Sequence, residues 1–214
     1  MHGGSGCGVS FLLLIAKASV SGTLWEYGRI MACVETNRGN IIYLRNGCQS
    51  MGRFIDSPRS LLLLAGCILA TNAAGFLGSL VTETGPGSWY VEDLVKPWFV
   101  PPSIVFPVVW TTLFILMGIA LYLVLRKGIE EKDVRIAVAV FGVQLILNIA
   151  WSFAFFGLQS PFAGLIVIFI LWCAILATIW YFFRVEKAAA YLLVPYIAWV
   201  SFAALINATI LLIN

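Results

Sequence analysis

The stretch FAGLIVIFILWCAILATIWYFF, residues 162–183, decides the fold. Its 22 residues include no Asp, Glu, Lys, Arg or His, and about 20 helical residues cross roughly 30 Å of hydrocarbon. The run lacks the in-and-out alternation of a membrane barrel strand, and a helix satisfies its backbone groups from within. Four further stretches repeat the pattern, at 61–81, 103–125, 136–157 and 188–213, again without any of those five residue types. The chain therefore reads as an all-α membrane protein, a bundle of five transmembrane helices.

Composition leads to the same class. Of 214 residues, 61% are hydrophobic and 11% charged, whereas a soluble domain carries about 25% charged residues. A soluble enzyme and a nucleic-acid binder are excluded on that ground. One His (His2) and five scattered Cys, with no C-x-x-C pair, provide no pattern for a metal cluster, a haem attachment site or a Ser-His-Asp triad. No metal site and no required cofactor are expected. Ion-coupled transport is disfavoured as well, because the spans hold no ionisable acid or base and five of them cannot divide into equal repeats.

The connections carry the charge. Six basic residues precede the first span, four lie at 126–135 and two at 184–187, against Lys96 alone on the opposite side. The positive-inside rule places the N-terminus in the cytoplasm and the loop 82–102 outside, with a prokaryotic cell membrane as the expected setting. Residues 1–60 form an N-terminal extension without a globular pattern, expected to be disordered or to result from an upstream mis-start. The apolar run 11–16 is too short to span and has no basic residue before it, as a signal peptide would. A start at Met51 would lead directly into the membrane domain, 61–214.

Within the spans, residues four apart share a helix face. Gln144, Asn148 and Ser152 form one stripe, flanked by Trp151 and Phe155. Trp199, Ala203 and Asn207 form a second, after Pro195-Tyr196, and Phe106, Trp110 and Phe114 a third. The fourth span offers Trp172, Thr178 and Trp180. Taken singly, each stripe is explained by packing, since amides and hydroxyls join membrane helices for about 0.6 to 2 kcal/mol. Together they describe an aromatic cavity with one or two amides, suited to a flat, largely apolar ligand. The 21-residue loop 82–102, with Trp89, Tyr90, Lys96, Pro97, Trp98 and Phe99, is long enough to be an ordered lid.

These residues resemble a known family. Trp89-Tyr90, Leu94-Val95-Lys96-Pro97, Pro101-Pro102 and Phe106-Pro107-Val108-Val109-Trp110-Thr111 are similar to the signature of the TspO/MBR family of tryptophan-rich sensory and translocator proteins. The similarity continues through Leu147-Asn148-Ile149-Ala150-Trp151-Ser152 and Pro195-Tyr196-Ile197-Ala198-Trp199 to Asn207. The resemblance implies a five-helix bundle, usually dimeric, that binds porphyrins, sterols and isoquinoline carboxamides beneath the first loop. It implies Trp110, Gln144, Asn148, Trp151, Trp199 and Ala203 as pocket residues and Trp89, Tyr90, Lys96, Pro97 and Trp98 as lid. Porphyrin is then a ligand and not a cofactor. Light- or oxygen-dependent porphyrin degradation is a second implied activity, through Trp110 and Trp199, although no acid, base or redox centre supports it. A third reading is a structural partner protein, with Ala150 and Ala154 as a small-residue dimer face.

Two departures bear on ligands. The last span ends without the Tyr-then-basic cholesterol motif of the animal proteins, and the loose match from Leu116 through Tyr122 to Arg126 is weak. Ile104 stands where many members have Trp, so less ring stacking is expected at that edge.

Overall fold

The computed structural model describes residues 57–214 and the backbone of two short strands, β1 (Val34–Asn37) and β2 (Asn40–Tyr43), which pair antiparallel. The other expectations for residues 1–60 lie outside the described residues. From Ser57 onward every element is helical: α1 (Pro58–Ser79), α2 (Trp89–Glu92), α3 (Val105–Leu125), α4 (Lys132–Ser152), α5 (Pro161–Val185), α6 (Lys187–Leu192) and α7 (Val194–Ile213). Five segments are long and apolar enough to cross a membrane, α6 and α7 together making the fifth.

The helix ends follow local chemistry. Ser57 and Ser60 cap α1 reciprocally, each hydroxyl accepting the other's backbone N–H at 3.3 and 3.1 Å. The helix therefore starts before the apolar run, at residues that are polar yet helical. Pro161 occupies the first turn of α5, as expected, and Ser160 caps Ala163 N–H at 3.2 Å. Two features escape an apolar-run reading. A π-helical turn, Phe153–Gly157, continues α4, and the fifth span breaks at Leu193, because Pro195 lacks the N–H that would bond one turn back.

Packing closes the five spans into a ring. α1 lies against α3 and α4, α3 against α6, and α5 against α4, α6 and α7. α1 and α3 approach closely. A Cβ on Gly118 would fall 2.6 Å from Ile68 Cα and 2.9 Å from Thr71 Oγ1, so only glycine permits the crossing. There the buried Thr71 hydroxyl donates across to the Phe114 carbonyl at 2.8 Å. Ala154, expected on a dimer face, is buried within the chain itself, because the π turn packs it inward.

The two ends of the bundle differ. At one end, Tyr122, Phe141, Phe182 and Leu193 fill the core, and Phe141 stacks on Phe182 at 5.6 Å. The basic connections lie here, and Lys127 Nζ meets Glu186 Oε2 at 2.6 Å. That hydrogen bond holds the Glu186 carboxyl below the usual glutamate range against a smaller opposing effect of burial. At the other end the first loop caps the bundle: Tyr90 and Leu94 are buried against Phe155, Ile206 and Ile210. Lys96 Nζ donates to the Tyr90 and Val91 carbonyls at 3.2 and 3.3 Å and lies 5.0 Å from the Tyr90 ring. Asn214 clasps Val95 from α7, its Oδ1 accepting Val95 N–H at 2.9 Å and its Nδ2 donating to Val95 O at 3.1 Å.

Gly118→Ala should lower stability by about 1–3 kcal/mol through overpacking, measured by unfolding in detergent. Gly142→Ala, where the added methyl meets open space, should cost nothing; equal effects would contradict the close crossing. A depressed Glu186 pKa gives stability that is present at neutral pH and lost as the pH falls through the folded value. Wild type and Glu186→Gln should differ by less than about 1 kcal/mol at pH 7 and converge below the ordinary glutamate value of about 4.3. Asn214→Ala should speed amide exchange at Val95 by about fivefold, for a lost bond of ~1 kcal/mol, with exchange in α5 unchanged.

Candidate ligand cavity

Beneath the loop the bundle encloses a cavity of about 460 Å³. One wall comes from α1 and the turn that follows it, where Gly75, Gly78 and Ser79 on the helix and Thr82 just after it leave room. Gly75 admits the Phe114 ring, which would clash with a Cβ at 2.3 Å. Phe106, Trp110 and Phe114 enter from α3; Asn148, Trp151, Ser152, Phe155 and Phe156 from α4 and the π turn; Ala203, Ile206 and Asn207 from α7. Ser103 and Ile104 stand at the mouth, Ile104 being 71% exposed.

The rings form a continuous surface. Trp110 lies 5.7 Å from Phe114 and 6.3 Å from Trp151, and Trp151 lies 5.8 Å from Phe155, with interplanar angles of 28°, 30° and 28°. Each of the four aromatic planes is therefore tilted by about 30° from its neighbour. Phe155 belongs to this row because the π turn re-aims it, as such turns often do near functional sites.

Of the residues expected in the pocket, Trp110, Asn148, Trp151 and Ala203 line it. Gln144 lies behind, fully buried, and reaches Asn148 through Tyr196: the Tyr196 hydroxyl donates to Gln144 Oε1 at 3.0 Å and accepts Asn148 Nδ2 at 3.1 Å. Trp199 is absent from the lining. It packs against Phe106 and Phe202 at ring distances of 5.9 and 5.7 Å, and its buried Nε1 has no partner. Trp199 thus touches Phe106, which lines the cavity, without lining it itself. The α5 candidates stand elsewhere: Trp172 Nε1 donates to Ser201 Oγ at 2.8 Å, Thr178 bonds its own helix, and Trp180 is exposed under Arg184.

Among the lid residues, Tyr90 reaches the cavity and touches Phe155 and Phe156. Burial pushes its phenol above the ordinary value, so it stays neutral at physiological pH. Trp89 faces an outer depression of about 260 Å³, shared with Glu83 and Gln159. Lys96 is engaged in holding the loop, Pro97 accepts the Val100 N–H at 3.2 Å, and Trp98 is 95% exposed. The α1 wall went unread in the sequence, although its small residues at 75, 78, 79 and 82 were the available signal.

Comparison with known proteins identifies the family. The TspO/MBR family model matches residues 67–213. The tryptophan-rich protein TspO of Chlorobaculum tepidum is 51% identical over 73% of this chain and 98% of its own. The tryptophan-rich sensory protein of Cereibacter sphaeroides is 35% identical over 72% of this chain and 89% of its own. The human translocator protein is 35% identical over 66% and 84%. With its five spans, its loop-capped aromatic cavity and these relatives, the chain belongs to the TspO/MBR family.

Proposed function

We propose that this integral membrane protein binds tetrapyrroles and similar flat apolar molecules, acting as a sensor, receptor or carrier. The observation that carries the reading is the row of contacting rings, each tilted by about 30° from the next, along a cavity of about 460 Å³. Its size falls within the range of small-molecule sites, about 300–1,000 Å³. A macrocycle enters edge first between Ile104 and the α1 wall and lies against Trp110 and Trp151. Offset stacking adds about 0.5–1.5 kcal/mol per ring pair beyond area burial. Polar substituents remain at the mouth, in water, since Lys96 is occupied by the loop. Sterols and other apolar molecules fit the same wall chemistry.

The names of the relatives, sensory and translocator, support a role in which binding is reported or passed on. In this reading the chain works as a homodimer in a prokaryotic cell membrane, with its N-terminus in the cytoplasm. Ligand binding is favoured over degradation because only Trp110 of the two Trp implied for degradation touches the cavity.

Protoporphyrin should quench the tryptophan fluorescence of the purified protein saturably. Trp110→Ala combined with Asn148→Ala should weaken binding at least about tenfold, or ~1.4 kcal/mol, while the exposed Trp98→Ala leaves it unchanged. Unchanged affinity in the double variant would sink the assignment.

A further inference from the structure

We infer that the depression of about 260 Å³ beside the loop is a second site, one that takes an ammonium group. Two helix ends meet there. α1 stops at Ser79 and the π turn at Gly157, and Leu80, Val81, Phe156 and Gly157 line the space. Among the described residues none of these four carbonyls accepts a hydrogen bond. Carbonyls at a helix end point past it and together carry roughly half a negative charge. Neither α1 nor α4 with its π turn has a basic residue in the last turn to offset this. The Glu83 carboxylate lines the same space, exposed and without an ion pair or hydrogen bond among the described residues.

The remaining walls suit an organic cation. Trp89, Tyr90 and Phe156 supply ring surface, and aromatic faces attract ammonium groups. Gln159 holds φ at 50°, a left-handed conformation that glycine takes without strain. What it adds over glycine is an amide at the depression. The loop 82–102 carries three acids, Glu83, Glu92 and Asp93, against one base, Lys96. Lys96 does not line the depression, and its ammonium is engaged by the Tyr90 and Val91 carbonyls. A metal ion fits poorly, since oxygen cages for hard cations need several ligands. No group of three His, Cys, Asp or Glu gathers among the described residues. The ammonium belongs to a free amine or to a zwitterionic lipid headgroup, because both helix ends lie at the edge of membrane spans.

Choline and its carbon analogue, with tert-butyl in place of trimethylammonium, test it, being alike in shape and different in charge. Each is titrated by calorimetry into the full chain in maltoside detergent, which contains no ammonium. Wild type should bind choline saturably and at least about tenfold more tightly than the neutral alcohol. Glu83→Gln should weaken choline by about fivefold, and Trp89→Leu should weaken it as well. Glu92→Gln makes the same charge change away from the depression and should leave choline binding unaltered. Phosphatidylethanolamine added to the micelles then identifies the source. Competitive loss of choline marks a lipid headgroup, and retention marks a free amine. No saturable choline binding, equal affinities for choline and the alcohol, equal effects of the two Gln variants, or displacement by phosphatidylglycerol overturns the ammonium site. The larger cavity is tested separately by protoporphyrin, since neither Glu83 nor Trp89 lines it.

Discussion

A polar hydrogen inside hydrocarbon has no water to turn to, and leaving it unpaired costs several kcal/mol. The arrangement of this bundle follows from where those hydrogens go. Thr71 sends its hydroxyl across to the Phe114 carbonyl, which is possible only because Gly118 lets the two backbones meet. That contact places α1, and placing α1 sets the next turns toward the loop end. Gly75, Gly78, Ser79 and Thr82 then stand opposite Trp110 and Trp151 with almost no side-chain volume between. The cavity is thus a consequence of a helix crossing two turns away.

The ends of the bundle divide the work. Away from the loop, large side chains such as Tyr122 and Phe182 close the interior completely, both being 0% exposed. Toward the loop, the small α1 face leaves space that no span fills, and the cover comes from Tyr90 and Leu94. That cover is held by bonds of modest strength at partly exposed positions, through Lys96 and Asn214. A lid tied this way opens at far lower cost than any helix can be pulled from the ring.

Much of this was legible in the sequence, and the reason is the solvent. A bilayer demands long apolar helices, so the five runs could be read from the absence of charge alone. Spacing by four then aligned Asn148 with Ser152 and Trp110 with Phe114, because a straight helix obeys that period. The misses occur where the period or the apolar rule stops applying. Trp199 shares a face with Ala203 by spacing, but it packs on Phe106 and Phe202 and does not line the cavity. The small α1 face went unread because small residues are noticed only once something large is known to lie opposite. Neither the π turn nor the break before Pro195 alters hydropathy, so an apolar run conceals both.

Packing and binding are alternative roles for a buried polar residue, yet one side chain here does both. An amide has two ends. Asn148 uses one hydrogen of its amide nitrogen to join α4 to α7 through Tyr196, and the rest of its amide is left to the cavity it lines. Gln144, one turn away, has its amide engaged on both ends and serves the interior alone. Thr178 closes on its own helix and does the same. Whether a buried polar residue of a membrane bundle meets ligand therefore depends less on its identity than on how many of its atoms the neighbouring helices have already taken.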